Sequence, residues 1–395
     1  MNQKVSIGVT ISIAALVCAL TFIITSFVSL ENFNDKVQAV KEKAEKYDRL
    51  EAMDTYVREH YYLDELDEDH IMDGILKGYV NGLDDPYSRY MTADEYSSLM
   101  TKEAGQQVGI GVTITFTEDS VFLITNVDEN SPAEKAGLQE GDFITAVEGQ
   151  AISDLGYEEA VNQVRGEEGT AVVLTIRHED AEKDVRITRH TYEVSTVSSQ
   201  MLDNQIGYIR ITAFRENSSN QFQDALDSLV SAGAQGIIFD VRDNGGGVLT
   251  ALEKMLNPLL PTGVIATATY QGGRTEDIVT VTDTNELNLP MVVLVNGNTA
   301  SAAELFSASL RDFKSVKLVG TQTFGKGIMQ STVKMTDGGG LTLTVATYQT
   351  TRSDNYHGVG LAPDIMIEAG ENTDINAVDP DTDPQLSTAI DVLMQ

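Results

Sequence analysis

The chain has 395 residues, with 60 acidic against 27 basic side chains and a formal net charge of −33. That length calls for two or three folded units, and the shortage of clustered Lys and Arg argues against nucleic acid as a partner. Cys18 is the single cysteine and lies inside an apolar run, so the rest of the chain holds no disulfide, no cysteine-based zinc site and no thiol nucleophile. The five histidines fall at no metal-ligand spacing, and no metal or cofactor is expected.

From Val5 to Leu30 the chain runs 26 residues without a charge, more than the roughly 20 needed to cross a hydrocarbon core. Lys4 precedes the run, and Glu31 and Asp35 follow it. This predicts a single-pass transmembrane helix within residues 1–32, with the amino end cytoplasmic and the rest of the chain extracytoplasmic. A cleaved signal peptide is the alternative; the length of the run and the lack of a small-residue cleavage motif favour an uncleaved anchor. Residues 33–100 carry apolar positions at steps of three and four among many charges, for example Val37, Val40, Ala44, Tyr47 and Leu50. They predict a helical arm, either a dimerisation element or a solvated linker, followed by turn chemistry at Asp84-Asp85-Pro86-Tyr87-Ser88.

Residues 101–192 change to short β-rich runs, Val112–Phe116, Val121–Val127, Phe143–Val147 and Ala171–Ile176, with two helical signals between them. One helix starts with Ser131 as N-cap and Pro132 in its first turn and closes at Gly137; the other runs from Tyr157 to Val164. This order of parts resembles a PDZ domain in the circularly shifted form of bacterial proteases. The resemblance implies that Gly109-Ile110-Gly111-Val112 is a carboxylate-binding loop whose N–H groups converge on an anion, beside a strand edge that accepts a peptide as an extra strand. It also implies that Arg165 couples peptide binding to catalytic readiness; an arginine favoured by the dipole at a helix C-terminus is the plain alternative.

Across residues 193–373 strands alternate with helices: Gly207–Ile211, Ser219–Ala232, Gly236–Val241, Thr250–Leu259, Met291–Val295, Ser301–Phe313 and Val316–Val319. Such alternation predicts α/β layering with parallel pairing, and residues 374–395 hold a closing helix from Asp383 to Leu393. The expected fold class is a multidomain α/β chain, α+β in its details.

Ser301 follows an apolar strand and a short loop and opens a helix; alone, Ser301-x-x-Glu304 reads as a capping box whose serine only binds a backbone N–H. Lys326 stands in Phe324-Gly325-Lys326-Gly327, and Gly320 to Lys326 matches the start of a phosphate-binding loop. Gly327 then replaces the required Ser or Thr, and a strand follows where that motif needs a helix. Together with Asp240-Val241-Arg242-Asp243-Asn244-Gly245-Gly246-Gly247 and Gly358-Val359-Gly360-Leu361-Ala362-Pro363-Asp364, these segments resemble the carboxyl-terminal processing peptidases, or tail-specific proteases, in which serine and lysine stand 25 residues apart as here.

That resemblance implies a Ser/Lys serine endopeptidase without cofactor, with Ser301 as nucleophile, Lys326 as base and Gln330 orienting the lysine. Backbone N–H groups of Ala302 and of the loop around Gly246 would form the oxyanion hole. Substrates would be proteins or peptides with free disordered C-termini held by the PDZ domain, and helical ends would support a homodimer. Lys326 can act as a base only if burial disfavours its ammonium form. Full extension would separate Gln330 from Lys326 by about 13 Å, so the lysine must lean or its glycine-flanked loop must bend. A chymotrypsin-type site fails on inventory, since no histidine lies between His190 and His357. The competing class is a catalytically silent, membrane-tethered PDZ scaffold that binds protein tails.

Overall fold

The computed structural model describes residues 7–394 apart from 64, 180, 285 and 372, with the side chains of the first helix described only in part up to residue 46. Two units form, residues 1–74 and 75–395. The first is dominated by one helix, Ile7–His60, 54 residues long, so the anchor and arm expected on either side of residue 32 share one uninterrupted element. Near its end Arg58 forks onto Glu68, with Nη2 2.8 Å from Oε2. Part of the expected spanning segment, Val5 and the Cys18 side chain included, lies outside the described residues. Among those described, no helix is long and apolar enough to cross a membrane.

The second unit carries three larger sheets. In the first, Val197–Met201 pairs antiparallel with Ile206–Ile211, and Gly236–Asp240, Met291–Val295, Lys317–Gly320 and Ile365–Met366 follow in parallel. The inner strands read as continuous apolar runs because both faces are covered. Ile237, Phe239, Val293 and Val295 pack under the helices Ser218–Ser231, Leu249–Leu256 and Ala302–Lys314. The alternate residues Ile238, Val292 and Leu294 pack with Leu386 and Ala389 of the last helix, Pro384–Met394.

A second sheet, absent from the sequence reading except for its strand at residue 328, orders Arg89–Met91, Gly340–Thr350, Gly263–Tyr270 and Thr275–Val281, with Ile328–Lys334 also paired to Gly340–Thr350. It matters for function because it carries the chain immediately after Lys326. The third sheet orders Val112–Phe116, Phe122–Val127, Phe143–Val147, Ala171–His178 and Ala181–Thr188 around its own core of Phe122, Ile124, Ile144, Leu174 and Ile176. Its entry and exit are zipped as a ribbon, Gln106–Gly109 against His190–Glu193.

Asp240 and Arg242, prominent in the sequence motif, turn out to be braces. Both are buried; the Arg242 guanidinium donates to Asp240 Oδ2 at 2.6 Å and to Asp383 Oδ2 at 2.7 Å, while Tyr208 Oη donates to Asp240 Oδ2 at 2.6 Å. The ion-pair network fastens the strand Gly236–Asp240 to the start of the last helix, and its charges are tolerable in the interior because each is bonded.

Candidate active site

The strand Met291–Val295 delivers the chain to Ser301 at the mouth of the helix Ala302–Lys314. An N-cap serine normally takes extended backbone angles, whereas Ser301 sits at φ 58° and ψ −119°, a strained conformation for a residue with a Cβ. The expected capping box is nonetheless present, with the Ser301 N–H donating to Glu304 Oε2 at 2.9 Å. Strain is held in place by the glycine loop. Gly246, at φ 97°, lies so close that a Cβ there would be 2.8 Å from both Ser301 Cβ and the Ala302 nitrogen, so only glycine fits.

Glu304 is the residue that the sequence reading undervalued. Its carboxylate is fully buried and accepts four hydrogen bonds: from Ser301 N–H, from the Thr323 hydroxyl at 2.5 Å, from Gly325 N–H at 2.8 Å and from Lys326 N–H at 2.8 Å. One side chain thus ties the serine turn to the lysine loop. The far side of that loop is held by Tyr348, whose hydroxyl donates to the Lys326 carbonyl at 2.8 Å, and by Asn355, which donates to the Gly327 carbonyl at 2.7 Å. Burial pushes the Tyr348 phenol up to about 12, against the pull of the neighbouring Tyr356 and Ser301 side chains. The late glycine motif adds a further brace, Gly358 N–H to the Gly325 carbonyl at 2.9 Å.

Ser301, Lys326, Gln330, Gly246 and Tyr348 line one cleft of about 890 Å³. The Lys326 amine lies 4.6 Å from the centre of the Tyr87 ring, which places the Asp84–Ser88 turn in the cleft. Desolvation lowers the Lys326 pKa and outweighs the opposing field of Asp85, while Arg89 pushes the same way as burial. No hydrogen bond joins the Ser301 hydroxyl to the Lys326 amine; Glu304 and Tyr348 relate them.

Three assignments look different in place. The Gly246 N–H donates to Asn244 Oδ1 at 2.8 Å, so it is already engaged, whereas the N–H of Ala302 makes no bond among the described residues. Gln330 donates to Thr344 Oγ1 at 3.1 Å and, among the described residues, makes no bond to Lys326; the pairing of its strand slips between Met329 and Gln330. Arg165 is exposed and forms no ion pair among the described residues. The arginine that serves the end of the helix Tyr157–Val164 is the buried Arg189, which donates to the carbonyls of Val164 at 3.0 Å and Gln163 at 2.7 Å.

Leading into the third sheet, Gly109 ends the ribbon strand, and Ile110 and Gly111 form a loop whose carbonyls accept from Ala133 at 2.7 Å and Asp128 at 3.0 Å. The N–H groups of Ile110 and Gly111 make no bond among the described residues, and Gly111 at φ 81° packs its Cα against Ser131. Val112–Phe116 is the outer strand of its sheet. At its end Phe116 meets Tyr157 edge to face, with centroids 5.8 Å apart.

A strained serine at a helix start and a desolvated lysine thus share one cleft, in a chain that also carries a separate small β unit with an open edge strand. In comparison with known families, residues 205–367 match peptidase family S41, residues 123–178 match a PDZ domain, and residues 14–95 match the N-terminal domain of the activating protease CtpB. The carboxy-terminal processing protease CtpA of Bacillus subtilis strain 168 is 34% identical over 384 residues, covering 96% of this chain and 81% of that protein. Among solved structures, an S41 protease from Bacteroides fragilis aligns at a TM-score of 0.51 over 85% of this chain and 98% of its own, at 19% identity, a likeness of fold alone. The photosystem II D1 C-terminal processing protease aligns at 0.49 with 27% identity over 81% and 86%. The chain belongs to the carboxy-terminal processing serine proteases of peptidase family S41, with a PDZ domain.

If Glu304 sets the relation of serine to lysine, Glu304→Gln, which turns an NH2 group toward donors, should lower kcat for peptide cleavage about 100-fold with a much smaller change in KM. Unchanged kcat in a folded variant would remove the bridging role.

Proposed function

We propose that this protein is a membrane-anchored endopeptidase that cuts protein tails through acyl-enzyme chemistry at Ser301 with Lys326 as the base. The observation that carries this reading is the shared cleft in which a strained Ser301 and a pKa-lowered Lys326 are joined by the Glu304 carboxylate. Ser301 Oγ attacks the peptide carbonyl carbon as the neutral amine takes its proton. The tetrahedral adduct then expels the amine, which leaves with that proton, and an ester on Ser301 remains. Water attacks the ester with the same lysine as base, releasing a carboxylic acid and restoring the hydroxyl.

Ala302 N–H, unengaged at the first turn of the helix, is the first donor to the oxyanion. A second comes from the glycine loop, where Gly246 must give up its bond to Asn244. The loose relation of Ser301 to Lys326 fits a site that tightens on substrate, as acid–base pairs commonly do.

Activity that needs a neutral lysine rises as pH rises through the folded-state pKa. Because burial lowers that value, kcat/KM should climb with pH along a limb centred below the ordinary lysine value of about 10.4. Ser301→Ala and Lys326→Ala should each cost at least about a thousandfold with folding retained; cleavage at the original rate in either would leave the silent tail-binding scaffold as the surviving reading.

The free N–H groups at Ile110 and Gly111 and the open edge of Val112–Phe116 support capture of a C-terminal carboxylate there. Gly111→Ala, which forces a Cβ to 2.2 Å from Ser131 Cβ, should weaken binding of a free-carboxylate tail to the Ser301→Ala chain by tenfold or more; equal binding would refute the tail-holding role.

Anchoring rests on the uncharged run Val5–Leu30 and on its described apolar side chains, of which Leu16, Phe22 and Phe27 are 64%, 73% and 69% exposed. The full chain should stay with membranes through an alkaline carbonate wash, and the chain starting at residue 33 should not; release of the full chain would overturn the anchor.

A further inference from the structure

The cleft holding Ser301 and Lys326 continues into a second cavity of about 610 Å³, walled by Gln106, Gln107 and Val108 of the ribbon strand. Thr212, Ala213 and Arg215 line both. Of these three only Arg215 is charged. Its backbone is fixed: Phe214 N–H donates to the Gly246 carbonyl at 3.0 Å, and Arg215 N–H donates to Ser218 Oγ at 2.8 Å. Arg215 therefore stands one residue along the chain from a segment bonded to the glycine that packs on Ser301.

The other enclosed guanidiniums all have a carboxylate, carbonyl or hydroxyl against them, Arg210 through its ion pair with Asp240 at 3.2 Å. Arg189 and Arg242 spend their N–H groups on carbonyls, hydroxyls and carboxylates. The side chain of Arg215 is half-buried and, among the described residues, donates no hydrogen bond and forms no ion pair. Burial pushes its pKa down against the opposing field of Glu103, and the same burial pushes the Glu103 carboxyl up. In a chain of 60 acids and 27 bases, a guanidinium left without a partner at the junction of two cavities is a fork presented to something that arrives from outside.

We propose that Arg215 is a substrate-binding residue that takes a carboxylate of the bound chain through paired N–H bonds in the cavity adjoining the nucleophile. The ligand class follows from the fork geometry, which matches a planar carboxylate. The inference rests on the peptidase reading above and extends it: a fixed carboxylate site beside Ser301 sets how many residues separate the cut from that carboxylate. The main-chain terminus is the carboxylate assigned above to the loop at Ile110 and Gly111, so the carboxylate for Arg215 is an Asp or Glu side chain of the bound chain.

The test is a cycle between residue and ligand. Fluorescent peptides with a free carboxyl terminus, with a terminal amide, and with their acidic side chains changed to amides are bound to the Ser301→Ala chain carrying Arg215, Arg215→Gln or Arg215→Lys, with circular dichroism checking the fold. Cleavage by the corresponding active chains is followed alongside. With Arg215 present, removing the relevant carboxylate should weaken binding about 10- to 100-fold; in Arg215→Gln that loss should nearly vanish, with Arg215→Lys between. The arm with amidated side chains carries this loss, while the terminal-amide arm reads the loop at Ile110 and Gly111 and should lose equally in all three chains. In the side-chain arm, a loss of equal size in Arg215→Gln, or none with Arg215 present, overturns the proposal. Absence of cleavage by the active chain overturns the peptidase reading instead, since binding is read without turnover.

Discussion

A single buried carboxylate organises the site. Glu304 sits where an unpaired charge would be prohibitive, and it is tolerable there because four donors converge on its two oxygens. Those donors come from two stretches, the turn at Ser301 and the loop Thr323 to Lys326, which the sequence keeps about twenty residues apart. Satisfying one charge therefore brings the serine and the lysine to a fixed relation without any bond between their own reactive atoms. It also explains how the serine can hold φ 58°: the N–H of that residue is clamped from one side by Glu304 while Gly246 closes on it from the other. Strain of this kind persists only where surroundings over-determine it.

Around this centre the other motif residues act as braces. The Asp243 carboxylate accepts from Asn296 and Asn298, each at 2.8 Å, tying the glycine loop to the segment before Ser301. Asn244 donates to the Ile211 carbonyl at 2.8 Å and its own carbonyl accepts from Ala300 N–H at 2.9 Å. Arg242 reaches the opposite way, through the sheet to Asp383. The first part of this motif thus braces the far side of the sheet and the part after Arg242 braces the turn that carries Ser301.

How much of this could be read from sequence follows from where the signals lie. The parallel sheet was legible because both of its faces are buried and its strands are unbroken apolar runs, such as Met291–Val295. The strands Gly263–Tyr270 and Thr275–Val281 were not: they are threonine-rich, antiparallel and exposed along much of one face, so they lack both the apolar run and a clean alternation. Glu304 was seen but assigned to a local cap, because a capping box and a long-range bridge share the same first hydrogen bond; the three donors from residues 323–326 are invisible without the fold. Arg189 was missed for the same reason, since it serves the end of the helix Tyr157–Val164 from the link between two strands distant in sequence. Gln330 came from the family resemblance, against a strand count that set it far from Lys326; in the fold it lines the same cleft as Lys326 and donates to Thr344.

The PDZ unit and the cleft depend on one strand. Gln106–Gly109 ends at the loop of Ile110 and Gly111, pairs with the exit strand His190–Glu193 and walls a cavity that shares Arg215 with the cleft of Ser301. Its start is pinned by Asn217, which donates to the carbonyls of Gly105 and Val194, each at 3.1 Å. Entry and exit of the PDZ unit are therefore held by one side chain belonging to the core. At the far end of the groove the Phe116–Tyr157 contact bridges the edge strand and the facing helix, and a tail adding along Val112–Phe116 must part those rings or stack on them. Cavity wall and glycine loop are consecutive in the chain, since Gln106, Gln107 and Val108 line the cavity and Ile110 and Gly111 follow two residues later.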